Sequence, residues 1–134
     1  MVDNANPVLQ EFCDRILQRH EELQAVVIST SDGIPIGKAW RQGIVTEAKL
    51  ESGVAKYFSV AADQASKMGL GQLGHMTALY DNIVLCHINM PPLVVSCVAD
   101  SQANIGIVLN NVPEIKEALE PIRITVEALE RDVR

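Results

Sequence analysis

The chain has 134 residues, 48% hydrophobic and 21% charged, with a formal net charge of -6 at pH 7. That balance is ordinary for a globular chain and excludes a disordered one, while the length points to one modest domain covering 1–134. An acidic excess with no run of Lys and Arg argues against nucleic-acid binding, because such binders gather basic side chains on a face.

The opening MVDNANP lacks the charged and apolar regions of a signal peptide and has no Gly at position 2 for myristoylation. No apolar run approaches the roughly 18 residues of a transmembrane helix. Direct membrane binding is therefore not expected, and any membrane address must come from another chain. Pro7 suits a first helical turn, and Leu9, Phe12, Cys13 and Ile16 mark one face of an amphipathic helix. AVVIS, 25 to 29, reads as a strand that turns through Ser31-Asp32-Gly33 into a second strand over 34 to 40. Pro35 cannot donate to a ladder, so this second strand should begin or flank a sheet edge. Residues 41 to 52 mix charge, Gly and Thr and read as a loop.

A helix from about Gly53 to Gly69 comes next. Val54, Phe58, Ala61, Ala65 and Met68 follow the spacing of one helical stripe that a sheet would cover. Beside it, Val60 and Ala62 alternate with Ser59 and Ser66, side chains short enough for a second helix to approach. One small sheet cannot bury so many apolar and small sides, and the surplus predicts a protein partner. Three strands follow, 75 to 80, 83 to 89 and 93 to 99, joined at Asp81-Asn82 and at Met90-Pro91-Pro92 into an antiparallel meander. Apolar residues on both alternating sets of the middle strand imply cover on both faces. The tail holds a short helical piece from Ala103 to Leu109 and a longer one carrying Ile115, Ala118, Leu119, Ile122, Val126 and Leu129. Pro113 should break the two apart, and Pro121 should kink the second. The order α-β-β-α-β-β-β-α predicts an α/β sandwich, a five-stranded antiparallel sheet with helices on both faces.

Nothing in this order supplies catalytic chemistry. Gly69, Gly71 and Gly74 spell G-x-G-x-x-G, but the dinucleotide fingerprint leaves a strand and opens a helix, and here the glycines leave a helix and enter a strand. They read as a helix C-cap and turn. His20, His75 and His87 have no Cys or His neighbour at metal-ligand spacing. Asp32, Asp63 and Asp100 sit where turn, ion-pairing and capping roles are commonest. The three cysteines, Cys13, Cys86 and Cys97, are odd in number and lack C-x-x-C spacing, as expected of reduced buried thiols. No catalytic, cofactor or metal site is expected.

Three segments carry a resemblance: LQAVVISTSDGIPIGKA at 23 to 39, FSVAADQASKMGLG at 58 to 71, and PLVVSCVADSQANIGIV at 92 to 108. Over about residues 8 to 127 the chain resembles the roadblock family, which is profilin-like in fold, and within it the MEK-partner subunits of the LAMTOR (Ragulator) scaffold. Asp63-Gln64, Ser66-Lys67, Gly69-Leu70, Pro92 to Ser96, Ala103-Asn104 and Gly106 bear the closest match. The loop at 41 to 52 and Pro113 depart from it.

The resemblance implies a non-catalytic scaffold that forms a heterodimer with a second roadblock-domain subunit. It implies a lipid-anchored subunit that wraps the pair on the cytosolic face of late endosomes and lysosomes, and Rag GTPases and MEK-ERK kinases as further partners, in TOR and MAP kinase signalling. Pairing in that family runs through the single helix and the third strand. The expected interface residues are accordingly Phe58, Ala61, Ala62, Ala65, Met68, Met76, Ala78 and Tyr80. The alternatives are a homodimeric dynein-type roadblock chain and a profilin-like small-molecule sensor.

Overall fold

Val and Ile crowd three stretches of the chain, and these form the centre of the sheet. A computed structural model describes residues 7–43 and 56–133. In it the strands are β1 (Leu23–Thr30), β2 (Pro35–Trp40), β3 (His75–Leu79), β4 (Ile83–Met90) and β5 (Leu93–Asp100). They form one five-stranded sheet in the order β2-β1-β5-β4-β3, with every neighbouring pair antiparallel. β1, β4 and β5 are buried along nearly their whole length, as a strand covered on both faces requires.

The registers assign the two faces. Val26, Cys97 and Cys86 stand side by side on one, together with Ile28, Val95 and Ile88. This face carries the main core, packed by α1 (Pro7–Arg19), α3 (Ile105–Asn110) and α4 (Val112–Val133). Val27, Ser96, His87 and Met76 stand side by side on the other face. α2 (Lys56–Ser66) lies there, with Phe58 and Val94 at the centre of a smaller cluster.

α1 buries Leu9, Phe12, Cys13, Ile16 and Leu17, the expected stripe with one residue more. Gly37 lets its backbone come near, since a Cβ there would stand 3.2 Å from the Leu9 Cβ. Arg41 fastens the other end of α1. Its guanidinium donates to the carbonyl oxygens of Leu17 and His20 at the helix C-terminus and to Leu23 O at 2.9 Å, occupying acceptors that have no partner inside a helix.

The last helical region divides where the sequence indicates. Asn104 caps α3, its Oδ1 accepting from Gly106 N at 2.9 Å. Asn111 ends α3, and Pro113 falls in the first turn of α4, where a missing N–H costs nothing. α4 passes through Pro121 without ending there. α2 is shorter than its periodicity predicts, closing at Ser66 instead of near Gly69. Val54, Gly53 and the loop from 44 to 52 lie outside the described residues.

Candidate partner interface

α2 rests on the sheet through few side chains. Phe58 is its one buried residue, its ring stacked on His87 with centroids 4.8 Å apart. Ala62, Leu73 and Met76 close around it. His87 is itself buried, with Nδ1 2.8 Å from Ser96 Oγ. Burial lowers its pKa to about 4, so the ring is neutral at pH 7.

Elsewhere on α2, Ser59, Ala61, Ala62 and Ala65 are half-buried and the other side chains are exposed. Tyr57, Ala61 and Gln64 follow the spacing i, i+4 and i+7, a stripe beside the sheet-facing one. Tyr57 is 75% exposed and Met68 68%. Of the twelve large exposed hydrophobic side chains, six fall between 57 and 80: Tyr57, Val60, Met68, Leu70, Leu79 and Tyr80. Leu79 stands on the opposite sheet face, beside Val84, while Tyr57, Val60, Met68 and Leu70 belong to α2 and the turn after it.

Two expectations need correction. Phe58 cannot meet a partner directly, because its whole side chain is spent on His87 and Val94. Nor does Met68 belong to a stripe under the sheet. Helix α2 has ended two residues earlier, and Ala62, not Ala61, packs beside Phe58. Ala61, Ala62, Ala65, Met76 and Ala78 are half-buried, and Tyr80 is exposed just past the end of β3. Tyr57, Leu70 and Leu79 were absent from the expected set. Tyr57 stands four residues before Ala61, a spacing that would have found it.

Among the described residues β3 is an edge strand with no neighbour beyond it. Asn89 N donates to Gly74 O and Tyr80 N to Ile83 O, both at 2.8 Å. Ladder alternation then makes 74, 76, 78 and 80 the residues bonded to β4, and turns the backbone N–H and C=O of His75, Thr77 and Leu79 outward. Met76 and Ala78 place their side chains on the α2 face. Met76 of β3 and Ala62 of α2 pack together around Phe58, so strand and helix lie on one face of the sheet.

The ionisable groups elsewhere are in structural surroundings. Burial pushes the Cys13 thiol up to about 12 and raises Cys86 and Cys97 as well, the condition of an unreactive thiol. Among the described residues no group of three His, Cys, Asp or Glu could hold a metal ion. Gly69 and Gly71 have φ of 74° and 94° and lie between the end of α2 and β3, a turn geometry. An open groove of about 500 Å³ runs between 72–74, the β4–β5 turn and α4. Its charges are largely paired within the chain, Arg123 with Glu120 at 2.6 Å and with Glu127 at 3.6 Å.

Residues 7–126 match the family described as mitogen-activated protein kinase kinase 1 interacting. Ragulator complex protein LAMTOR3 of Homo sapiens is 34% identical over 119 residues, covering 89% of this chain and 95% of that protein. Among solved structures, Myxococcus xanthus MglB aligns with a TM-score of 0.73 at 16% identity over 89% of this chain and 97% of its own. A Roadblock/LC7 domain from Streptomyces avermitilis aligns with a TM-score of 0.71 at 12% identity, covering 87% and 98%. At these identities the structures establish the fold alone: a roadblock-type α/β sandwich.

Proposed function

Because this chain belongs to the mitogen-activated protein kinase kinase 1 interacting family, we propose that it is a non-catalytic scaffold subunit working through protein surfaces. Its first partner is a second roadblock-domain subunit, docked on α2 and β3 to form a heterodimer. The observation that carries this reading is the edge of β3, unpaired among the described residues, on the same face as α2, where Tyr57 and Val60 are exposed. An extended strand added there would satisfy the outward groups of His75, Thr77 and Leu79 and continue the sheet. A helix laid on α2 would cover those exposed side chains. Together these contacts have the scale of a specific interface, roughly 800 Å² per subunit.

The wider role follows from the relatives, which are Ragulator complex proteins. In this reading the heterodimer joins a Ragulator-type assembly on the cytosolic face of late endosomes and lysosomes. A lipid-anchored wrapping subunit supplies the membrane address, and Rag GTPases and MEK-ERK kinases are the clients. The acidic balance gives the chain little affinity of its own for anionic lipid, and no described helix is long and apolar enough to cross a membrane.

Co-expression with the second roadblock-domain subunit, followed by sizing and mass measurement, tests the pairing. Wild type should elute as a one-to-one complex, and Ala61→Arg should abolish it while the isolated variant keeps a wild-type unfolding transition. Wild-type heterodimer from Ala61→Arg would remove α2 from the interface.

A further inference from the structure

The open groove between 72–74, the β4–β5 turn and α4 has walls that the fold itself fixes. Asn89 ties the segment 72–74 to β4, its backbone N–H donating to Gly74 O at 2.8 Å and its Nδ2 to Leu73 O at 2.9 Å. Arg123 ties the β4–β5 turn to α4, its Nη1 donating to Pro91 O at 3.3 Å. Between these walls one flank of α4 presents Lys116, Glu120, Arg123 and Glu127, at the spacing i, i+4, i+7 and i+11. The middle of this row is saturated and its two ends are not. Both carboxylate oxygens of Glu120 accept from Arg123, at 2.7 and 2.6 Å, a bidentate pair. Lys116 is half-buried without an ion pair or hydrogen bond among the described residues, and its Nζ lies 3.9 Å from where a Cβ on Gly74 would stand. Glu127 meets Arg123 and Arg131 only at 3.6 and 3.5 Å, longer than a charge-assisted hydrogen bond. The groove thus offers a cation at one end and a carboxylate with spare acceptor capacity at the other, about 16 Å apart along the helix.

We propose that this groove binds an extended peptide segment of another protein, with an acidic side chain on Lys116 and a basic one, four residues away, on Glu127. Residues four apart in an extended chain point to one side and stand about 13 Å apart, and a long basic side chain covers the remainder. The charge pattern selects this occupant. A phosphate on Lys116 would face Glu120 one helical turn away, and a small carboxylate would leave Glu127 without its cation and the Leu73, Met90 and Pro91 stretch of the groove unfilled. Walls already held in place by Asn89 and Arg123 reduce the ordering that binding would otherwise require. The groove is lined by no residue of α2, so the proposal stands independently of pairing through α2 and β3.

The test probes an array of capped pentapeptides, acidic, basic or neutral at the first and fifth positions and varied between, with the full-length chain. Peptides carrying opposite charges at the two ends, in one of the two orders, should bind about threefold or more above those with neutral or like-charged ends, the scale of ion pairs at a partly exposed site. Lys116→Glu makes both ends of the groove acidic and should move the preference to peptides that are basic at both ends. Lys116→Gln should remove the requirement for an acidic end and keep that for a basic one, and both variants should unfold as wild type does. Lys67→Glu, just past the end of α2, changes the net charge equally and should leave the preference as it is. Equal binding of neutral-ended peptides, or a preference that Lys67→Glu shifts as Lys116→Glu does, would overturn the proposal. So would displacement of the bound pentapeptide by millimolar succinate, which would make the occupant a small carboxylate, or self-association of the chain that Lys116→Glu abolishes, which would make it a second copy.

Discussion

The two edges of the sheet are built to opposite rules. β2 begins at Pro35, carries Lys38, and pairs with β1 through a bulge between Ile28 and Ser29; its Lys38 carbonyl accepts a hydrogen bond from Gln10 Nε2 on α1 at 2.7 Å. Proline, lysine, bulge and a covering side chain are the devices by which proteins blunt an edge strand. Among the described residues β3 has none of them: His75-Met76-Thr77-Ala78-Leu79 carries no Pro, Lys or Arg and is regular in register. Among the described residues one edge is closed and the other is left open on the face that α2 covers, and an unprotected edge is an aggregation hazard unless something covers it. The contrast carries the scaffold reading, and it breaks at identifiable positions.

The largest effect is expected where strand phase decides the outcome. Ala78→Pro removes an N–H bonded to β4, so it should destabilise the fold by a few kcal/mol. Thr77→Pro removes only an outward N–H, so it should leave the fold closer to wild type and weaken pairing by about tenfold or more. Urea unfolding of the isolated variants beside sizing of the co-expressed pairs separates the two. Equal damage from both prolines would mean the assigned phase is wrong.

The open side also holds the buried histidine. His87 has a folded pKa of about 4, below the roughly 6.5 of an unfolded chain. The unfolded state therefore binds more protons between these values, and stability falls as pH drops from about 6.5 to 4, by up to about 3 kcal/mol. Denaturant midpoints at pH 7, 5 and 4 should show that slope, and His87→Leu should flatten it even if it lowers stability at pH 7 through loss of the Ser96 contact. Identical pH slopes in the two proteins would contradict the burial of His87 beneath Phe58.

Smaller effects are expected at the turn and at the closed edge. Gly71→Ala should cost about 1 kcal/mol by backbone strain alone, because no atom lies near enough to clash. Millimolar NAD or ATP should shift neither midpoint, and a nucleotide-dependent rise lost in Gly71→Ala would reveal a phosphate site. Gln10→Ala should cost no more than about 1 kcal/mol, the worth of one hydrogen bond, and should not create a new interface, since Pro35, Lys38 and the bulge still guard β2. Oligomers appearing with Gln10→Ala would show that this one side chain does the guarding.

The succession of elements along the chain is readable because its signals are local: Val- and Ile-rich runs mark β1, β4 and β5, short turns join β3, β4 and β5, and Pro35 marks a strand at or beside an edge. The pairing of β1 with β5, Val26 beside Cys97, is not local and is absent from those signals. The surplus of small and apolar residues in α2 is visible in the sequence. Its orientation is not. Periodicity names a stripe but not the one the sheet selects, and in α2 the choice turned on Phe58 meeting His87, residues 29 positions apart. Periodicity alone therefore does not separate Phe58, which the sheet buries, from Tyr57, one position away and exposed. The phase of β3 is likewise set by contacts at Gly74 and Tyr80 with another strand, which no reading of 75 to 80 alone contains.

Amide hydrogen exchange of the chain, alone and in the complex with the second roadblock-domain subunit, tests the open-edge claim most directly. The amides of Thr77 and Leu79 should exchange freely in the isolated chain and become protected in the complex, while those of Met76 and Ala78 are protected in both and β2 is unchanged. Protection arising along β2, or β3 amides that stay as fast in the complex as in the free chain, would contradict it.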